Sequence, residues 1–248
     1  MKLFAKKKPS AIVFVDFEYM QISFKKKFGV NPPVVDWYRE ASERFDIRDT
    51  YFFADFSNQS IKYNLPELRK ITGNIIETHN TGTHKKDFTD FFLLDKIYQK
   101  AFEKNAAEYF IIFTGDGHFG GVTRFLMEKC GKKVIIYGIE NTISGQLRSV
   151  AAECIEYPSY GKLKRLYYPV IAKYILTLQE QSKAYITFLN TVRTLSEQLN
   201  LNQTYIHDAL EGMIADGYIS LKEQWVSNRK RIKIMIPDWD KIKKDYLL

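Results

Sequence analysis

The chain has 248 residues, 45% of them hydrophobic and 15% aromatic, enough for one large or two modest domains with a sizeable core, so disorder is not the default. A formal net charge of +8 favours an anionic partner, nucleic acid above all. No apolar run approaches the roughly 20 residues of a membrane span, and the two cysteines, Cys130 and Cys154, lie outside any CxxC pair, which argues against a zinc site or disulfide framework.

The N-terminal Met1–Lys8 is basic but leads into a strand and not into a signal-peptide core, so a cytoplasmic, non-membrane protein is expected. Ala11–Phe17 reads as a buried strand by its β-branched and aromatic run. Tyr19–Phe28 forms a short helix before the Asn31-Pro-Pro33 break, and Asp36 is placed to cap a helix through Phe45. Strands are expected at Thr50–Phe56 and Asn74–Thr78, with helix at Pro66–Ile71 between them. The turn Asn80–Thr83 leads to a long helix over Asp87–Lys104. Then come strand Glu108–Thr114, helix His118–Cys130, strand Lys133–Tyr137, helix Ser144–Ala152 and strand Cys154–Tyr157. Such alternation implies a parallel sheet with helices on both faces.

Pro158–Gly161 marks a boundary, giving domains at 1–160 and 161–248. The first carries 23 basic against 20 acidic residues and the second 14 against 9, so the smaller region holds the larger excess. Here the grammar changes to helix Tyr168–Gln181, extended Tyr185–Thr187, helix Thr191–Leu199, turn Asn200–Asn202 and helix Thr204–Ala215. Two strands follow, Tyr218–Leu221 and Arg231–Ile236. Helix–turn–helix followed by a hairpin is the order of a small winged helix.

Acids mark the ends of the first region's strands. Asp16 closes the first apolar run and Asp116 follows the fourth, within Thr114-Gly-Asp-Gly-His-Phe119. Carboxylates at strand ends in such a chain converge on one rim, where open α/β folds keep their active sites. Gathered acids repel one another unless a divalent cation sits among them. Asp87 and Asp90 share a face of the long helix's first turn, where they also complement its dipole. Asp95 lies deeper, about 140° round from Asp90 and about 80° from Asp87, and takes either a salt bridge near Lys96 and Gln99 or a place in the site.

The set Phe14-Val-Asp-Phe-Glu18-Tyr19, Lys86-Asp-Phe-Thr-Asp90 through Asp95, Thr114–Phe119 and Ser144-Gly-Gln-Leu147 resembles the NYN domain of the PIN-like nuclease superfamily, over residues 11–157. The resemblance implies a Rossmann-like parallel sheet and an Mg2+- or Mn2+-dependent ribonuclease. Its metal-holding acids would be Asp16, Asp90 and Asp116, with Glu18, Asp95 and His118 nearby in catalysis. Asp87 competes with Asp90, which is preferred because the apolar run begins directly after it. The chain departs from the family at two positions. Tyr19 stands where the family often has Asn, and His118 where it has a second acid. The alternative reading is a nucleic-acid-binding regulator whose NYN fold has lost catalysis. A small-molecule phosphate hydrolase is disfavoured by the lack of an Asp-x-Asp at 16–18.

RNA is the expected partner, with DNA as the alternative. Lys85, Lys86 and Arg124 are candidates for substrate phosphates. The helix Thr204–Ala215 has no Lys or Arg to read base edges, leaving Asn202, Gln203, Thr204, Tyr205 and His207. The basic cluster Arg229, Lys230, Arg231 and Lys233 lies on the expected wing, so backbone contact is preferred to base readout. The competing role for this region is homo-oligomerisation or docking of a protein partner.

Overall fold

The computed structural model describes residues 7–78, 88–181, 185–227 and 230–246, with Lys230 described by its backbone alone. The turn Asn80–Thr83, Lys85, Lys86, Asp87 and Arg229 therefore lie outside the described residues.

The chain divides into two units, the first comprising residues 1–26 and 31–158, the second Lys27–Val30 and Ser159–Leu248. In the first, six strands form one parallel sheet: β1 (Ser10–Asp16), β2 (Asp46–Ala54), β3 (Ile75–Glu77), β4 (Tyr109–Phe113), β5 (Lys133–Ile139) and β6 (Glu153–Tyr157), in the order β3-β2-β1-β4-β5-β6. The order reverses between β1 and β4, and such a switch point opens a crevice at the carboxyl ends of the strands.

The apolar runs of β1 and β4 are explained by burial on both sheet faces. One face sends Ile12, Phe14, Phe110, Ile112 and Ile136 against Leu93 and Ile97 of α5 (Thr89–Ala101) and against Val122 and Leu126 of α6 (Gly120–Glu128). On the other, Phe113 and Tyr137 stack on each other and meet Trp37 of α2 (Val34–Arg44) edge-on. Phe17, at the start of α1 (Phe17–Phe28), packs on Phe52. The fold is thus α/β, a parallel sheet flanked by helices on both faces.

Several boundaries differ from expectation. The helix expected to be capped by Asp36 begins at Val34 instead, and Asp36 takes a place in its first turn. The helix expected from His118 opens as a single 3-10 turn, Gly117–Phe119, before α6. Ser144–Ala152 contains only the one-turn α7 (Gly145–Arg148), capped by the Ser144 hydroxyl. The helix expected at Pro66–Ile71 runs over Leu65–Arg69 (α4), and a further short helix, α3 (Gln59–Lys62), precedes it between β2 and β3.

The second unit contains α8 (Tyr160–Leu166), α9 (Tyr168–Gln181), α10 (Phe188–Leu199) and α11 (Gln203–Ala215), then an antiparallel hairpin, β7 (Ile219–Ser227) and β8 (Lys230–Pro237), and α12 (Trp239–Tyr246). Asn200 ends α10 in the left-handed region, and the Asn202 side chain accepts from the Thr204 amide to start α11. The extended Ile186 carbonyl accepts from the Met235 amide at 2.9 Å, anchoring β8. Among the described residues, no helix is long and apolar enough to cross a membrane.

Candidate metal centre

Asp16 closes β1 and Asp116 lies beyond the end of the adjacent β4, so the two flank the switch point. Each also performs a local task. Asp16, 8% exposed, accepts the Tyr19 amide on Oδ1 at 2.9 Å, capping α1. Asp116 accepts the His118 amide on Oδ1 at 2.9 Å and so caps the 3-10 turn. Its own amide donates to the Thr114 hydroxyl at 3.2 Å. His118 folds back, its Nδ1 3.2 Å from Asp116 Oδ2.

The cluster is completed from α5. Ligand atoms of Asp90, Asp116 and His118 all lie within 4.8 Å of one another. Asp16 is outside this trio. Two carboxylates and an imidazole, half-exposed at Asp116 and 82% exposed at His118, form a hard-to-borderline donor set open on the solvent side. Such a set fits a divalent ion of the Mg2+ or Mn2+ kind, and the imidazole suits Mn2+ better.

Glu18 acts as a strut. Its Oε1 accepts from the Asp55 amide at 2.5 Å and from the Thr89 hydroxyl at 3.3 Å, and Thr89 also bonds Thr78 at 2.8 Å. This links the start of α1 to the end of β2 and to the first residue of α5, immediately before Asp90. Asp95 accepts from Gln99 at 2.7 Å, one turn along the same helix, and is not in the trio. Arg124, on α6, is exposed and faces Glu128 at 4.0 Å. In the second unit Arg231 and Lys233 are exposed on β8.

Tyr19 had no role assigned from sequence beyond its departure from the family, yet it pins the loops around the site. Its hydroxyl accepts from the Ile139 amide at 2.9 Å and bonds the Thr142 hydroxyl. The ring fills the space over Gly115, where an added Cβ would lie 2.6 Å from the Thr142 carbonyl oxygen and 2.7 Å from the ring. Burial raises the pKa of this phenol, and the Asp16 carboxylate adds to the effect. Gln146 lies similarly close over Gly117 and Gly120. The signal for this packing was the Gly115–Gly117 pair itself, which reads first as freedom to turn and proves also to be room for neighbours.

Acids thus stand on both sides of the switch point of a β3-β2-β1-β4-β5-β6 sheet, on the rim where open α/β folds keep their sites. The sequence matches the NYN domain family over residues 10–159, and the chain belongs to that family, which is part of the PIN-like nuclease superfamily. A crystal structure of a Vibrio parahaemolyticus protein of unknown function is similar to the chain, with a TM-score of 0.56 over 63% of this chain and 98% of that one at 16% identity. At that identity the likeness concerns the fold. No curated protein matches the sequence significantly.

Proposed function

We propose that the first unit is a metal-dependent endoribonuclease and that the second, read as a winged-helix-like domain over 161–248, helps recruit nucleic acid. The observation that carries the reading is the meeting of Asp90, Asp116 and His118 within 4.8 Å at the rim of an NYN fold. Asp90 and Asp116 would supply hard oxygens and His118 a nitrogen to Mn2+ or Mg2+, with Asp16, at the end of the neighbouring β1, as the further acid of the site. When bound, such an ion supplies charge neutralisation at phosphate oxygens and lowers the pKa of a bound water. Glu18 bonds the start of α5, and Tyr19 bonds the end of β5 and the loop after it while its ring packs over Gly115 in the loop after β4, so the two would fix where the acids stand. Lys85, Lys86 and Arg124 would meet substrate phosphates, as would Lys230, Arg231 and Lys233 of β8 and Arg229, just before them in the sequence. Two unpaired cysteines are in keeping with a cytoplasmic setting.

The test is incubation of the purified protein with single-stranded and structured RNA and matching DNA, in Mg2+, Mn2+ or EDTA. RNA should be cut internally, best in Mn2+, and EDTA should stop cleavage. Cleavage that persists in EDTA would overturn the metal dependence. A second reading, a binding regulator with weak or lost catalysis, is favoured by one observation: an exposed imidazole stands at the family's acid position, bonded to Asp116. His118→Asp separates the two. A gain in Mg2+-dependent cleavage supports the nuclease, whereas tighter metal binding without cleavage supports the regulator.

A further inference from the structure

The β7–β8 hairpin carries an exposed aromatic side chain. Trp225 is 53% exposed, and the Arg231 guanidinium lies 4.2 Å from its ring centroid. The antiparallel register explains the pair, since Trp225 stands directly opposite Arg231, with Glu223 opposite Lys233 and Leu221 opposite Met235 on the same face. At the base of this face Met235 is buried, so the root of the ribbon belongs to the core and its outer half does not. Glu223 accepts from Arg231 at 3.3 Å and holds the guanidinium in its stacked position. The result is an indole and a planar cation held side by side on a two-stranded ribbon, with Lys233 next along the same face.

An exposed tryptophan costs solubility unless something covers it. The covering molecule must offer a flat apolar surface next to negative charge, because one cation is stacked and another adjoins it on a chain of net charge +8. Unpaired nucleobases on a phosphate backbone have that combination. A regular duplex does not, since its bases are already stacked on each other. We infer that Trp225 and Arg231 form a base-stacking platform for single-stranded nucleic acid, Trp225 taking a base on its open surface and Arg231 and Lys233 meeting the flanking phosphates. This deepens the nucleic-acid reading above and rests on it, and it turns the hairpin from a backbone contact into a selector for unpaired strands.

The test is binding of the full chain to a fluorescein-labelled oligouridylate and to an RNA duplex, by anisotropy in EDTA so that no cleavage intervenes. Trp225→Ala and Trp225→Leu should weaken single-strand binding about 5- to 150-fold, the range for loss of one stacked base, with the slope of log affinity against log salt unchanged. Trp225→Phe should retain most of the affinity, and duplex binding should move little. Arg231→Met should lower the single-strand slope by roughly 0.7. Wild-type affinity in Trp225→Ala, or an equal loss on duplex and single strand, would overturn the platform. So would a change from dimer to monomer in that variant with affinity unaltered, which would give the indole to a second copy of the chain. A chain that binds in EDTA yet never cleaves with metal would overturn the nuclease reading while leaving this one standing.

Discussion

His118 and His207 each stand among acids, but the two clusters are assembled in different ways. The first joins Asp90 from the start of α5 to Asp116 and His118 after β4, so only the folded sheet brings its members together. The second, His207, Asp208 and Glu211, lies on two turns of α11, where any helix would set residues four apart side by side. Its members are engaged locally. The Tyr160 hydroxyl donates to Asp208, and His207 Nδ1 lies 3.3 Å from Asp208 and 3.9 Å from Glu211. Neighbours on one helix gather without added ordering, whereas converging like charges from separate elements must overcome both repulsion and chain entropy. The harder assembly is the better evidence for a ligand.

The largest contrast should appear in catalysis. On the proposed mechanism, Asp116→Asn would remove a hard ligand and should lower RNA cleavage about a thousandfold, since the charge stabilisation lost amounts to several kcal/mol. Asp208→Asn should leave the rate near wild type. Equal losses in both would erase the distinction between the clusters.

Metal-linked stability should divide them next. An ion at 100 times its dissociation constant stabilises the folded form by about 2.7 kcal/mol, and for a unit of this size that raises the melting temperature by roughly 5–10 °C. Asp90→Asn and Asp116→Asn should abolish the increment measured in Mn2+. His207→Ala should keep it. An increment that survives Asp116→Asn but not His207→Ala would move the metal to α11.

The strand ends of the first cluster were legible in the sequence, whereas the second cluster was not singled out there, for definite reasons. Strands buried on both faces must be continuously apolar, so β1 and β4 announced themselves, and the βα alternation placed Asp16 and Asp116 on one rim. Less visible was how short polar side chains spend their hydrogen bonds. One oxygen of Asp16 caps α1, and one of Asp116 caps the 3-10 turn. Glu18, two residues past Asp16, reaches the Asp55 amide through a contact between distant segments that has no sequence period. The hairpin was foreseen too short. Its outer half is exposed, so Lys222, Glu223 and Gln224 replace the apolar alternation that marks a half-buried strand. The short helices α8 and α12 were missed for a similar reason, since each buries only a single side chain, Leu163 and Ile242.

The supports of the first cluster give a smaller effect. Gly115→Ala would press a methyl group against the Thr142 carbonyl and the Tyr19 ring, and should destabilise the protein by about 1–3 kcal/mol. Tyr19→Phe strips the Ile139 amide of its acceptor and should cost a similar ~1–3 kcal/mol. Both should also weaken Mn2+ binding, by roughly 10- to 100-fold for a displaced supporting shell. Unfolding in urea and metal titration measure the two consequences separately. Loss of stability with unaltered metal affinity would show that the loop after β4 keeps its place without its pins.

The smallest effect belongs to the second cluster and is read through pH. The Tyr160 hydroxyl, with His207 in a lesser role, holds the Asp208 carboxyl below the usual carboxylate range. The folded state then binds fewer protons at this position than the unfolded chain, so stability rises with pH across the interval. The contribution is complete above the unfolded value, near pH 3.9, and is lost as pH falls through the lowered folded value. Because the pair lies near the surface, where solvent screens it, the effect should be small. Asp208→Asn and Tyr160→Phe should each be slightly less stable than wild type at pH 6, and for Asp208→Asn the gap should close toward pH 3. Denaturant midpoints at several pH values measure this directly. A gap that widens in acid would mean that Asp208 is unfavourable as a carboxylate, which is the condition expected of a cluster awaiting a cation rather than one already satisfied by a tyrosine.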